Sequence, residues 1–279
     1  MKPDDAPPQL LSLGWAAALE LGYAVRDGRT VPVRRRHHGP LRVQKHFIDP
    51  DGVCQHIIVH PPGGIAGGDR LQLDITLEAG ADVLITSPGA AKWYDGFGRD
   101  AGQVLTIGLA AGARLEWLPQ ETILYDGADV RLASRIALHG DAGLLFGDVV
   151  CLGRPACGER FARGAWRQRA DIERDGRLIW CEHTALAGGD PLLASPVGLG
   201  AASTVAMLLW AGPALPAPLH QAVLALPGRA AASQLPDVWI ARCIADSAEA
   251  AQHWLRGARA LIHPFTHGRP ARTPRIWAT

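Results

Sequence analysis

The sequence has few cysteines and no long hydrophobic run. Its five cysteines are scattered over 279 residues without CxxC spacing, which argues against a disulfide framework and against a structural zinc site. Reduced thiols are typical of a cytosolic protein. No apolar run reaches the ~20 residues that a membrane-spanning helix needs, and the opening Met-Lys-Pro-Asp-Asp is a poor signal peptide. We therefore expect a cytoplasmic protein without a membrane anchor.

The sequence also lacks a strong net charge and the common catalytic motifs. A formal charge of +1 gives no bulk attraction to nucleic acid or to acidic membranes. The basic run at residues 34–38 is predicted to be the solvated edge of a strand. Neither HExxH nor GxSxG occurs. The apolar fraction of 48% supports a sizeable core, and we expect a single domain over residues 1–279, poorly ordered at residues 1–13.

Alternating hydrophobicity predicts that most of the chain is β-strand. The clearest case is residues 128–138, where Val130, Leu132, Ile136 and Leu138 alternate with mostly polar residues. Similar patterns predict strands at 15–25, 30–36, 41–48, 53–59, 70–77, 82–86, 103–109, 113–117, 143–151, 161–173, 177–185, 201–210 and 237–245.

Glycine-centred turns recur between these strands. Gly80, Gly112 and Gly140 each separate two apolar runs, at intervals of 32 and 28 residues, and glycine tolerates the positive φ of tight corners. A loose recurrence of this length favours a mostly β, solenoid-like coiled stack of strands. A two-sheet sandwich is the alternative.

Two α-helices are predicted late in the chain, at 216–226 and 247–262. Ser247 is suited to be the N-cap of the second helix, with Glu249 in its first turn. His263 and His267 are four residues apart, but Pro264 and the following glycine argue against a helix there. We therefore interpret both as loop histidines, and residues 263–279 as an extended tail docked by Trp277.

The segment HPPGGIAGGD, residues 60–69, raises the question of a phosphate loop. Its glycines come in two pairs, no Lys-Ser/Thr follows, and residues 70–77 alternate like a strand, so the nucleotide-binding patterns do not fit. A wide turn is the better interpretation. Asp69 at its end is expected either to cap the loop by accepting backbone N–H groups or to line a cavity.

Two further acids stand inside apolar strands. Asp148 and Glu182 are costly to bury unless they are paired, hydrated or bound to a cation. Cys181 and His183 flank Glu182, but neighbours in a strand point to opposite faces, so the three do not form a compact metal site.

Three residues in loop-like segments are further candidates. Lys92 is suited to contact an anion or a partner, and Glu121 and Asp126 lie near a proline bend. A β-rich hydrolase using Glu121, Asp126 or Glu182 is therefore the alternative function, although nothing in the sequence fixes the separation of these carboxylates.

Several motifs together resemble one family. They are HPPGGIAGGD (60–69), TSPGAAKWY (86–94), LEWLPQETILYDGA (115–128), LGRPACGE (152–159) and the terminal PRIW (274–277). The chain is identified by them as a member of the urease accessory protein family UreD, also called UreH, from about residue 14 to the C-terminus.

The resemblance implies a non-enzymatic cytosolic scaffold, built as a coiled stack of strands. Such a protein binds urease apoprotein and UreF, which recruits the GTPase UreG, and helps to deliver nickel through a water-filled passage. No tightly bound cofactor is implied, only nickel in transit. Asp69, Asp148 and Glu182 fall where the family's passage acids are expected, with glutamate as plausible as aspartate at 148. Sparse carboxylates suit an ion that must leave quickly.

Overall fold

The computed structural model describes residues 14–278, so the prediction for residues 1–13 concerns a part of the chain outside it. About half of the chain is strand. The strands are β1 (Ala16–Arg26), β2 (Arg29–His38), β3 (Arg42–Val43), β4 (Phe47–Ile48), β5 (Cys54–Val59), β6 (Arg70–Leu77), β7 (Asp82–Thr86), β8 (Ala91–Trp93), β9 (Ala101–Leu109), β10 (Arg114–Leu118), β11 (Thr122–Leu124), β12 (Asp129–Leu138), β13 (Gly143–Arg154), β14 (Glu159–Arg160), β15 (Ala165–Arg174), β16 (Arg177–Ala187), β17 (Thr204–Ala211), β18 (Arg229–Gln234) and β19 (Val238–Ala245). The helices are α1 (Ala217–Leu224) and α2 (Ala248–His267), with short 3-10 turns at Pro155–Cys157, Pro191–Leu193 and Arg275–Ala278.

The chain alternates between two facing sheets. The first has the order β16-β15-β12-β9-β6-β1-β2, and the second contains the path β18-β19-β17-β13-β10-β7-β5-β3. Strands β6, β9, β12 and β15 are parallel in the first sheet, as are β5, β7, β10 and β13 in the second. Because each coil places one strand in each sheet, the chain forms a solenoid of about four turns, which confirms the predicted mostly β fold.

Equivalent positions of successive coils carry the same kind of residue. Ile75, Ile107, Ile136 and Ile172 are aligned across β6, β9, β12 and β15, and all four are buried between the sheets. Stacked branched side chains pack well on a pleated surface. The alternation that is visible in the sequence therefore sets the register from one coil to the next.

The corner glycines have the predicted conformation. Gly80, Gly112 and Gly140 have φ of 72°, 74° and 54°, in the left-handed region that a Cβ disfavours. Gly164, at φ 92°, precedes β15, which begins at Ala165 and not at residue 161 as predicted. These positions let the chain turn from one sheet to the other.

The helices cover the outer face of the second sheet and enclose a second hydrophobic core there. The Ser247 side chain accepts a hydrogen bond from the Ala250 N–H at 3.2 Å, which confirms the N-cap. Helix α2 continues through Pro264 to His267 and ends at Gly268, with φ 68°. The prediction of an extended segment from residue 263 and of loop histidines was therefore wrong. Side-chain contacts with the rest of the protein hold the last turn of α2 in place although it contains Pro264.

Several short elements differ from the prediction. The strand expected at 41–48 is two short strands, β3 and β4, and β8, β11, β14 and β18 were not predicted. The first two of these have three residues each, too few for a periodic pattern, and β18 is rich in alanine, which has little preference for strands.

The predictions for the basic run and for Trp277 are confirmed. β2, with the basic run, is an exposed strand at the edge of the first sheet. All five cysteines are free. The Trp277 indole donates to Thr86 Oγ1 at 2.8 Å and thereby docks the C-terminal segment. Neither helix of the described chain combines the length and the hydrophobicity that crossing a bilayer requires.

Candidate functional site

A cavity of about 260 Å³ lies between the two sheets. Residues from four successive strands of each sheet contribute to its walls, which are mostly apolar. The first sheet contributes Leu71, Leu73, Gln103, Leu105, Leu132, Ser134 and Gln168, and the second contributes Ile58, Ile85, Thr86, Trp117, Phe146 and Asp148. The cavity therefore runs along the solenoid axis, across the strands.

The two ends of the cavity differ in chemistry. At the first coil it meets the glycine-rich loop through His60, Gly63 and Gly64, and also the segment 87–92. At the last coil its walls include Asp148 on β13 and Gln168 on β15. Adjacent strands are about 4.8 Å apart, so the three steps from β6 to β15 span roughly 14 Å. A polar, partly accessible end is thus linked to the loop by an apolar-walled space.

Asp148 is the acid of this cavity. It is the one half-buried position within residues 143–153 of β13, where the other side chains are buried. Gln168 Nε2 donates to its Oδ2 at 2.6 Å, across the two sheets. Burial raises the pKa of the Asp148 carboxyl above its ordinary value. The hydrogen bond from Gln168 lowers this pKa, and the charge of Glu182 raises it. Its hydrogen-bond partner is a neutral amide, so the carboxylate keeps its charge when ionised.

Gln168 is itself held in one orientation. The Trp166 indole N–H donates to Gln168 Oε1 at 3.0 Å. This fixes the amide so that its NH2 group faces Asp148. Trp166 and Gln168 are two residues apart on β15 and share its inward face. The strand thus presents a fixed donor to the carboxylate.

Glu182 lies beyond the cavity walls and is already paired. Its side chain, 18% exposed, forms an ion pair with Arg242 of β19, which connects the edge regions of the two sheets. Cys181 and His183 are exposed while Glu182 is not, which confirms that neighbours on β16 face opposite sides.

Asp69 caps the glycine-rich loop. It is 8% exposed, and its carboxylate accepts the backbone N–H of Trp15 at 2.7 Å and that of Ala66 at 2.9 Å. It is not among the residues that line the cavity. Of the two roles expected for Asp69, the structure shows the cap, which fixes the loop over one end of the cavity.

The loop glycines are required for close packing rather than for an anion. A Cβ at Gly67 would lie 2.5 Å from the Cα of Gly96, and one at Gly64 would lie 2.0 Å from the ring of Tyr94. The loop is followed by strand β6 and not by a helix, so no helix N-terminus points at a phosphate.

The remaining candidates do not form a common site. Lys92 on β8 borders the cavity near the loop. Glu121 accepts from Gln252 of α2 at 3.2 Å. Desolvation raises the pKa of Asp126, but hydrogen bonds from Arg163 and Ala162 bring it below the ordinary value. Glu121, Asp126 and Glu182 are thus each held by a different partner, which disfavours the hydrolase alternative.

One buried polar cluster was missed from the sequence. Glu116 of β10 lies with His263 and His267 of α2, with potential ligand atoms within 4.8 Å of one another. Arg259 donates to both oxygens of Glu116, at 2.6 and 3.1 Å, and His263 Nε2 lies 3.1 Å from one of them. The i, i+4 spacing of the histidines was the available signal, and Pro264 masked it.

This cluster is poorly suited to hold a metal ion. The guanidinium of Arg259 already neutralises Glu116, and a divalent cation at the same point would face that fixed positive charge in a low dielectric. Arg269, paired with Asp82 at 2.7 Å, adds a second positive charge, and its backbone oxygen lies 2.7 Å from His263 Nδ1. The arrangement instead ties α2 and the C-terminal segment to the second sheet.

Gln168 and Arg242 were also missed. Arg242 stands in the apolar strand VWIARCIA. A charged residue inside an apolar strand was the signal for Asp148 and Glu182, and the same signal applies to this arginine. Gln168 carried no such signal, because its role depends on which residue faces it from the other sheet.

Comparison with known proteins gives one consistent result. A profile of the family described as "UreD urease accessory protein" matches residues 16–278. The chain is 50% identical over 276 residues to the "Urease accessory protein UreD" of Pseudomonas fluorescens, covering 98% of this chain and 99% of that protein. It is 51% identical over 269 residues to the protein of the same name from Pseudomonas aeruginosa, covering 95% of each.

Proposed function

Because this chain belongs to the UreD family of urease accessory proteins, we propose that it is a non-catalytic scaffold that passes nickel ions toward the urease active site. The observation that carries this proposal is the cavity between the sheets, which ends at the partly accessible Asp148. In this proposal, ions enter or leave near the loop that Asp69 caps and pass Asp148, and Glu182 is the next acid on their way.

The chemistry of the cavity supports transit rather than storage. A tight nickel site would bring several imidazole or thiolate ligands together, whereas the walls here are mostly apolar with few polar groups. Asp148 supplies an attractive charge, and Gln168 holds it without neutralising it. A hydrated cation is thus attracted but not enclosed.

The proposed partners are urease apoprotein, UreF and, through UreF, the GTPase UreG, in the cytoplasm. Two hydrophobic side chains on loops are candidate contacts for these partners. Phe97 is 89% exposed and Val197 is 90% exposed.

The test is urease activation in cells that co-express the full-length chain, urease and the other accessory proteins. Asp148→Asn keeps the shape of the side chain and removes its charge. We expect nickel-dependent urease activity to fall about tenfold or more, since a charged cleft raises local counter-ion concentration by that order.

The matched control is Asp74→Asn. Asp74 also accepts a hydrogen bond from a glutamine amide, Gln72 at 2.7 Å, but it stands on β6 between inward-facing Leu73 and Ile75, on the outer face. It should leave activation unchanged. Full activation by the Asp148 variant, with normal co-purification of urease and UreF, would exclude the passage.

A further inference from the structure

Two bridges between the sheets lie side by side where the cavity ends. The first joins Asp148 on β13 to Gln168 on β15. The second joins Arg242 on β19 to Glu182 on β16. The residues of the first bridge line the cavity. The residues of the second bridge do not.

The register places these bridges at the same level of the second sheet. Asp148 is the cross-strand partner of Met207, and Met207 is the partner of Arg242. Directly opposed residues of neighbouring strands face the same side, so all three point between the sheets. At about 4.8 Å a strand, the backbones of β13 and β19 are roughly 10 Å apart.

The first sheet shows the same proximity. Glu182 is the cross-strand partner of Ala170, which is two residues from Gln168 on β15 and shares its inward face. Gln168 contacts Asp148 at 2.6 Å, so Glu182 on the adjacent strand lies close to the level of Asp148. The two carboxylates are therefore neighbours, and one of them is covered by an arginine.

Arg242 holds a positive charge in the space that follows Asp148. Its guanidinium is paired with Glu182 and lies over the Trp180 ring, 5.7 Å from the ring centroid. A cation that reaches Asp148 therefore meets a guanidinium instead of a second free carboxylate. The Arg242 side chain is 42% exposed, so it has room to turn toward solvent.

We propose that Arg242 is a gate: by neutralising Glu182 it keeps cation binding at Asp148 weak and closes the space beyond, until its guanidinium turns outward. This inference rests on the proposed function, since it concerns the same passage. When the ion pair opens, Glu182 becomes a second oxygen ligand beside Asp148. When it closes, the guanidinium displaces the ion.

The test is titration of the purified full-length chain with NiCl2, followed by calorimetry. Arg242→Met removes the charge and leaves Glu182 free. We expect nickel to bind about tenfold more tightly than in the wild-type chain, since tenfold corresponds to about 1.4 kcal/mol, a modest change for the loss of a nearby positive charge. Adding Asp148→Asn to this variant should abolish the gain.

Two controls separate gating from a structural role. Arg177→Met removes a different arginine, which pairs with Asp237 on the outside of the same region, and should leave nickel affinity unchanged. Arg242→Lys keeps the charge and should bind nickel like the wild-type chain. Arg242→Gln, which retains a hydrogen-bond donor toward Glu182, is measured in parallel and should also bind more tightly even if the methionine variant is unstable.

The outcomes also separate this inference from the passage itself. If Asp148→Asn reduces urease activation while folded Arg242→Met and Arg242→Gln both bind nickel like the wild-type chain, the passage stands and the gate is wrong. If Asp148→Asn activates urease fully, the proposed function fails first. Tighter binding in both Arg242 variants and in neither control supports the gate.

Discussion

Glu116 and Arg259 form a buried bidentate ion pair although 143 residues separate them in the chain. Their side chains are 2% and 5% exposed. Glu116 belongs to the second sheet and Arg259 to helix α2, so the pair fixes the helix to the solenoid. Desolvation raises the pKa of Glu116, but the Arg259 charge and the His263 hydrogen bond bring it far below the ordinary value.

Replacing Glu116 should undock the helix. Glu116→Ala leaves the Arg259 guanidinium buried without a counter-charge, since its remaining partner is the backbone oxygen of Arg272 at 3.0 Å, and removing one member of a buried pair costs about 3–5 kcal/mol. We expect the free energy of unfolding, measured by urea denaturation, to fall by this amount. The control is Glu78→Ala, which breaks an exposed pair with Arg26 and should cost no more than about 1 kcal/mol. Equal effects would contradict the anchoring role.

Asp148→Asn should stabilise the fold while it impairs delivery. The folded chain binds a proton at Asp148 more tightly than the unfolded chain, because its pKa is raised. Stability is therefore lost as pH rises from the unfolded value of about 3.9 through the folded value. Asparagine does not titrate, so the advantage of the variant should grow over this window. A difference that stays constant with pH would refute the assignment.

His267 should make the protein sensitive to acid. Desolvation lowers its pKa to about 3, so it is neutral in the folded chain, whereas the unfolded chain takes up a proton below about 6.5. Stability is fully present above that value and is lost as pH falls toward the folded value. In His267→Leu, the free energy of unfolding should depend less on pH between about 6.5 and 4. If the free energy of unfolding depends on pH as steeply in His267→Leu as in the wild-type chain, other groups such as His56 cause the acid sensitivity.

Gly67→Ala should disturb the loop over the cavity. The added Cβ would also lie 2.7 Å from the carbonyl oxygen of Arg99, and backbone cannot shift cheaply, so we expect a loss of about 1–3 kcal/mol. Gly89 borders the same cavity, but a Cβ there meets no atom within 4 Å. Gly89→Ala should therefore change stability by no more than about 0.5 kcal/mol. Thermal unfolding of both variants gives the comparison.

Much of the fold was predictable because it depends on local rules. Strands β6 and β7 were predicted to the residue, since alternation of side chains along a strand is a property of the strand alone. The corner glycines were predictable for a similar reason, because the conformational preference of glycine does not depend on distant residues. Helix α2 was predicted at its capped start, but not at its end, where contacts with Glu116 hold a turn that contains Pro264.

The candidate site was predictable only in part. Asp148 and Glu182 were conspicuous as acids in apolar strands, a feature that is readable from one strand at a time. Whether each acid is paired with a positive charge was not readable in this way. Asp148 faces a neutral amide and Glu182 faces an arginine, and each of these partners comes from the opposite sheet.

The sequence by itself determined which residues face inward, where the chain turns and which family it belongs to, because these follow from patterns within a few residues or from motifs in order. The tertiary structure decided which charges remain unpaired. Asp148 and Glu182 are 34 residues apart, and their partners lie still elsewhere in the chain. Charge pairing depends on distances of a few ångströms between separate strands, and only the coiling of the solenoid sets those distances.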